Sequence, residues 1–211
     1  MNASGRYVFP GVIDAHVHYP QTDIIASPSE GLLPWLERYT FPMERRFGDP
    51  DYAAEVARFF LDELQRCGTT TALVYCTVHA ASAEAFFTES HARNLRMVAG
   101  KVLMDRNCPE FLRDTAESGA RDSEALIQRW HGKGRQMVAL TPRFAPTSTE
   151  AHERVLRLAA LIAPEVWREV GTIPWYGAEY SLDDLVVYQQ YGHKREHDPQ
   201  LQAVLAKEGA Y

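Results

Sequence analysis

The chain has no apolar run approaching the roughly 18 residues needed for a membrane-crossing helix, so a spanning segment is not expected. It has no basic excess. A net charge of -6 and a pI near 5.8 offer no positive surface for nucleic-acid phosphates. No block of like charges marks an interaction tail or a membrane patch. Cysteine is scarce: Cys67, Cys76 and Cys108 are widely spaced and form no CxxC pair. Reduced thiols in a cytosolic protein, packed as small hydrophobes, are therefore expected. The opening residues MNASGRYVFPG have neither the basic region nor the apolar core of a secretion signal. No internal repeat and no low-complexity linker interrupts the sequence. The expectation is a cytoplasmic protein that binds neither nucleic acid nor membrane.

What is present is an alternation of short apolar runs with amphipathic stretches. Val12 to His18 reads as a strand, apolar at its start and polar at its end. Tyr19 to about Gly48, with four prolines, reads as a long loop. Asp49 and Pro50 open a helix as N-cap and first-turn proline, and Gly68 closes it. Tyr52, Val56, Phe59, Phe60 and Leu64 are expected on its buried face. Thr69 to Tyr75 is β-branched and apolar, a second strand. A helix over 81–93, a strand over 96–103, two helical pieces between Pro109 and Trp130 and a strand over 136–141 follow. An amphipathic helix is expected over 149–162, a weaker strand over 169–173, and a polar, mostly helical segment to Tyr211. Strand and helix in this rhythm predict parallel βα units. Four such units are half of an eight-unit barrel, which typically needs about 250 residues.

His16 and His18 carry the most chemistry. Residues i and i+2 of a strand point to one side, so both imidazoles leave the strand together and can share a cation. They end the first strand, where parallel barrels and sheets place their reactive groups. An HxH pair alone also occurs by chance in surface and core positions. His79, ending the second strand, points toward the same end and reads best as a packed or supporting histidine.

The run Pro10-Gly11-Val12-Ile13-Asp14-Ala15-His16-Val17-His18 resembles the first-strand signature of the amidohydrolase superfamily. Further ordered blocks resemble its guanine deaminase branch. These are Tyr19-Pro20-Gln21, the stretch from Leu32 to Pro42, Gly68 to Ala72, Gly100 to Asn107, and Thr141-Pro142-Arg143-Phe144. The resemblance covers residues 5–149. It implies an α/β fold: the first four βα units of a TIM-like (β/α)₈ barrel of amidohydrolase type, in a domain over 1–149, followed by an unrecognised, mostly helical tail over 150–211. It implies a Zn²⁺ hydrolase of purine catabolism that converts guanine to xanthine and ammonia, and a homodimer. By the same likeness His16 and His18 are metal ligands. Gln21 hydrogen-bonds the purine edge, Leu33 and Trp35 wall the pocket, Arg143 donates to a ring carbonyl and Phe144 stacks on the base. On residue type alone, Trp35 and Phe144 fit a core, Gln21 fits a loop surface, and Arg143 fits a helix cap or a partner for a carboxylate. Lys101 is not read as the carboxylated lysine of two-metal relatives, because this branch uses one metal.

The family pattern continues with a histidine ending strand five, a glutamate shortly after it, a histidine from strand six and an aspartate from strand eight. No such His-x-x-Glu block follows Phe144 at the expected place. The zinc deaminase pattern of H-x-E with P-C-x-x-C is absent as well. His193-Lys194-Arg195-Glu196-His197 matches H-x-x-E-H, a pattern short enough to arise on any polar helix face. The alternative to an active deaminase is a truncated or fused, non-catalytic fragment with at most weak metal or purine binding.

Overall fold

The computed structural model describes residues 5, 7, 9–143, 147 and 148. Its elements are β1 (Val12–His18), α1 (Leu32–Trp35), α2 (Phe41–Arg45), α3 (Pro50–Arg66), β2 (Thr69–Tyr75), α4 (Ala80–Ala92), β3 (Arg96–Gly100), β4 (Val102–Leu103), α5 (Ala116–Trp130), β5 (Gln136–Val138) and β6 (Thr141–Pro142). β1, β2, β3 and β5 form one parallel sheet in that order, and β4 pairs with β6 in a second. Each strand of the larger sheet lies beside its predecessor, with α3, α4 and α5 in the connections. That is the βα succession expected from the alternation. The anticipated helix over 149–162, the strand over 169–173 and the polar tail lie outside the described residues.

Three local expectations need correction. The segment from Tyr19 to Gly48 is a loop only over residues 25–31. Before it lies a 3₁₀ turn over Tyr19–Ile24, and after it, from Leu32, a continuous helical path of α1, a π-helical turn over Leu36–Thr40, α2 and a 3₁₀ turn over Arg46–Gly48. Pro20 and Pro42 occupy first-turn positions, where the missing N–H costs nothing, and so start turns rather than break them. The expected strands over 96–103 and 136–141 are each split. At the split a Cβ on Gly100 would come within 2.0 Å of the Ala139 carbonyl oxygen, so only glycine permits this approach. Across the break the pairing keeps its offset, from Ala99 with Val138 to Val102 with Thr141, and Thr141 Oγ1 donates to the Lys101 carbonyl at 2.7 Å.

Phe59 is the third correction. The buried stripe of α3 is Ala53, Val56, Ala57, Phe60 and Leu61, at i, i+3 and i+4 spacing. Phe59 lies off its centre and is 56% exposed. Asp49 Oδ1 accepts the Asp51 N–H at 3.0 Å to cap this helix, and Gly68 beyond its end has a φ of 81°, where a side chain is strained. α5 starts with a reciprocal box, in which Thr115 Oγ1 accepts from the Ser118 N–H and Ser118 Oγ accepts from the Thr115 N–H.

The main core lies between the sheet and these helices, around Phe47, Phe60, Leu61, Phe86, Phe87, Met97 and Leu126. Tyr19 is buried there and donates its hydroxyl to the Ser82 carbonyl at 2.7 Å, as a core tyrosine must. A smaller cluster of Leu36, Phe41, Val78, Val102, Met104 and Leu112 lies by the short helices and β4. Cys76 is buried in the main core, whereas Cys67 is exposed, which corrects the expectation that all thiols are packed. Among the described residues β1 and β5 are the sheet edges, and Val12 and Ile13 on β1 are 54% and 47% exposed. No helix among the described residues is long and apolar enough to cross a membrane.

Candidate functional site

The imidazoles of His16 and His18 emerge on the same side of β1, with their Nε2 atoms 3.2 Å apart. Two nitrogens each about 2.0–2.1 Å from one zinc ion, at a near-tetrahedral angle, require a separation of this size. The residues therefore fit a shared cation. The same separation serves a hydrogen bond when one ring carries its proton on Nε2. Both rings lie against Tyr75 with centroid distances of 4.7 Å, the His18 ring stacked at 18°. Tyr75 ends β2 and is the register partner of His18, so the strand pairing itself brings the rings together. Burial raises the Tyr75 phenol above its ordinary value. Upstream, the Asp14 carboxylate accepts the His16 backbone N–H at 3.0 Å. No group of three or more His, Cys, Asp or Glu side chains with metal-holding geometry occurs among the described residues.

Arg143 follows β6, and its backbone N–H donates to the Leu103 carbonyl at 3.2 Å. Its Nη1 donates to both carboxylate oxygens of Glu44, at 2.8 and 2.6 Å. The two side chains are 4% and 0% exposed. Of the readings open to this arginine in sequence, partnership with a carboxylate is therefore realised. Burial pushes the Glu44 carboxyl above its ordinary range, and the charge and hydrogen bonds of Arg143 pull it back. The Phe41 ring lies 5.3 Å from the guanidinium carbon, one turn before Glu44 on the same short helix.

The other expected pocket residues sit on separate local elements. Gln21 sits half-buried in the 3₁₀ turn that leaves β1. Trp35 is half-buried and donates its indole N–H to Ser27 Oγ at 2.8 Å, while Leu33 is 46% exposed. Phe144 lies outside the described residues, as do His193 and His197. His79 precedes α4 with its ring packed against Gly48, and its buried Nε2 has no hydrogen-bond partner among the described residues. Burial holds His79 below the usual imidazole value, the Lys101 ammonium adds to this, and Asp114 opposes it. Lys101 is fully buried and pairs with Asp114, consistent with a structural cation.

Glu44 and Tyr75 were not anticipated from sequence. Tyr75 had a usable signal, because it closes a predicted strand next to the one that carries both histidines. Glu44 had none, since its partner lies 99 residues away and nothing local distinguishes it from a surface glutamate.

Comparison with known proteins identifies the family of the fold. The amidohydrolase family model matches residues 7–162. Guanine deaminase of Escherichia coli K12 is 45% identical over 196 residues, covering 89% of this chain and 45% of that protein. A match of 89% is more than residues 1–149 alone could supply, so the similarity continues into the segment that sequence reading left unrecognised. The solved structure of E. coli guanine deaminase superposes with a TM-score of 0.68 at 48% identity, covering 74% of this chain and 35% of that one. The guanine deaminase of C. acetobutylicum, solved with guanine bound in its active site, gives 0.70 at 31% identity, covering 72% and 37%. The chain thus spans less than half the length of these relatives. With most of its length matched by the family model, and its parallel βα units superposing on solved members, the chain belongs to the amidohydrolase family.

Proposed function

We propose that this chain supplies one part of a zinc-dependent site that deaminates guanine to xanthine and ammonia. His16 and His18 are two of its metal ligands, and Gln21, Leu33, Trp35, Arg143 and Phe144 form its purine pocket. The observation that carries the reading is the pair of Nε2 atoms 3.2 Å apart at the C-terminal end of β1. Zinc held by His16 and His18 would supply Lewis acidity for hydrolysis at the purine carbon that bears the amino group. The chain's own residues bind and orient. Arg143 carries hydrogen-bond donors for a ring carbonyl, on a side chain that is almost fully buried. Gln21 leaves the same strand as the histidines and offers both a donor and an acceptor to the purine edge. Trp35 and Leu33 exclude water from the flat heterocycle. The acidic net charge suits a free purine rather than nucleic acid. A cytoplasmic homodimer belongs to the same reading on family likeness alone.

A second reading, a non-catalytic fragment with weak metal or purine binding, is favoured by one observation. The described residues gather no set of three metal-holding side chains, and catalytic zinc sites use three protein ligands. Zinc titration of the 211-residue chain, read together with ammonia release from guanine, tests both. The expected outcome is weak zinc binding that is lost in His16→Ala, and ammonia release at the rate of that variant. Turnover that is robust in the parent and absent in His16→Ala would show that the remaining ligands come from beyond residue 148, with His193 and His197 the first to substitute. Zinc binding unchanged by His16→Ala would overturn the metal assignment.

A further inference from the structure

The Glu44–Arg143 pair is almost fully buried beside Phe41, and packing does not account for it. Two almost fully buried charges forfeit solvation that their mutual attraction only partly restores, and apolar residues of similar volume serve stability as well or better. Its geometry is also specific. Both carboxylate oxygens engage the single nitrogen Nη1, so the Nε and Nη2 donors of the guanidinium take no part in the contact. The arginine is further held from the Phe41 ring face and by its own backbone bond to Leu103. The helix that carries Glu44, α2, follows directly on a π-helical turn, Leu36–Thr40, a rare distortion that recurs at functional sites. The hydroxyl of Thr40, one turn before Glu44, is buried and has no hydrogen-bond partner among the described residues.

We propose that Glu44 is a positioning residue: it grips Arg143 by Nη1 and so directs the remaining guanidinium donors to the purine carbonyl, which sets the preference for a carbonyl over an amino group at C6. The inference rests on the reading that Arg143 meets the base. An arginine fixed in this way rejects an amino group, because two donors then face each other in a desolvated site. A freely rotating arginine turns aside and discriminates poorly.

The test is binding of guanine and of 2,6-diaminopurine to the full chain by calorimetry. The two ligands differ at C6 and in the N1 proton that accompanies the carbonyl. The parent chain is expected to prefer guanine, and Arg143→Ala, still folded by circular dichroism at the assay temperature, to lose that preference. Glu44→Gln, folded by circular dichroism, is expected to reduce the preference by roughly tenfold, the size of one charge-assisted hydrogen bond. Arg143→Lys gives a second arm that does not depend on Glu44→Gln folding. It keeps a cation beside Glu44 but has no rigid fork to offer the carbonyl, so the preference falls while the unfolding midpoint stays near that of the parent. A full preference retained in folded Glu44→Gln or in Arg143→Lys, alongside its loss in Arg143→Ala, overturns the role of Glu44 alone. Equal affinities for the two purines in the parent, or a preference unchanged by Arg143→Ala, overturn the assignment of Arg143 and this inference with it.

Discussion

The main core and the smaller cluster near the strand ends are built on different terms. Around Phe60, Phe86, Phe87, Met97 and Leu126 the sheet and α3, α4 and α5 bury aliphatic and aromatic side chains, and the Tyr19 hydroxyl there donates to the neutral carbonyl of Ser82. Beside Leu36, Phe41, Val102, Met104 and Leu112 the chain buries the carboxylate of Glu44, the guanidinium of Arg143 and the ammonium of Lys101. Apolar burial stabilises by about 25 cal/mol per Å² without directional demands. Buried ion pairs return little net stability and constrain geometry tightly. The main core holds the fold, and the smaller cluster spends stability to fix the directions of a few side chains. That division is what a scaffold carrying a binding site requires.

The sharpest way to break this contrast is to remove one charge from the smaller cluster and one ring from the core. Arg143→Met leaves the Glu44 carboxylate buried and uncompensated, and a loss of about 3–5 kcal/mol is expected in urea unfolding. Phe87→Ala, in a fully buried position stacked on Trp130, is expected to cost a similar ~3–5 kcal/mol through lost burial and a cavity. The two losses differ in how they can be repaired. Glu44→Leu combined with Arg143→Met removes both charges and recovers most of the first loss, whereas no second polar change repairs the cavity at Phe87. A double variant as unstable as Arg143→Met alone would show that the pair is worth more to the fold than this comparison allows.

The same contrast explains what was legible in sequence. β1, β2, α3 and α4 follow from local pattern, because caps, glycine stops and β-branched runs act over a few residues. The His16 and His18 geometry was legible for the same reason, being a matter of strand period. Tyr19 to Gly48 misled because its prolines look like breakers, while their first-turn placement and the burial of Leu36, Phe41 and Phe47 are tertiary facts. The split at Gly100 was hidden because it depends on the Ala139 carbonyl of a strand still to come. Family likeness singles out Arg143, but its pairing with Glu44, 99 residues away, depends on the folded chain.

Smaller effects sharpen the boundary between core and surface on a single helix. Asp49→Ala removes the side-chain acceptor for the Asp51 N–H, and a loss of about 1 kcal/mol is expected. Phe59→Ala, one residue from buried Phe60, is expected to change stability by no more than about 0.5 kcal/mol, because that ring is largely in solvent. A cost at Phe59 comparable with that at Phe87 would mean that the ring is covered in solution and that the exposed face of α3 is an interface.

The smallest expected effect is a slope rather than a loss, and it belongs to His79. Its ring is half-buried against Gly48, burial and the Lys101 ammonium both disfavour the imidazolium, and Asp114 only partly offsets them. The folded-state value therefore lies below the ordinary 6.5 of the unfolded chain. For a base shifted in this direction the unfolded state takes up the proton first. Its contribution to stability is complete above the unfolded value and is lost as pH falls through the folded one. Replacing His79 by Gln removes the titration while keeping a polar side chain of similar reach. Urea unfolding of both proteins between about pH 8 and pH 5 then separates this group from the other carboxylates and histidines. The stability difference between them is expected to be constant above neutrality and to move in favour of His79→Gln below 6.5. A difference that is flat across the whole range would place His79 in contact with solvent, and one that moves toward the parent on acidification would mean that Asp114, not Lys101, governs its charge.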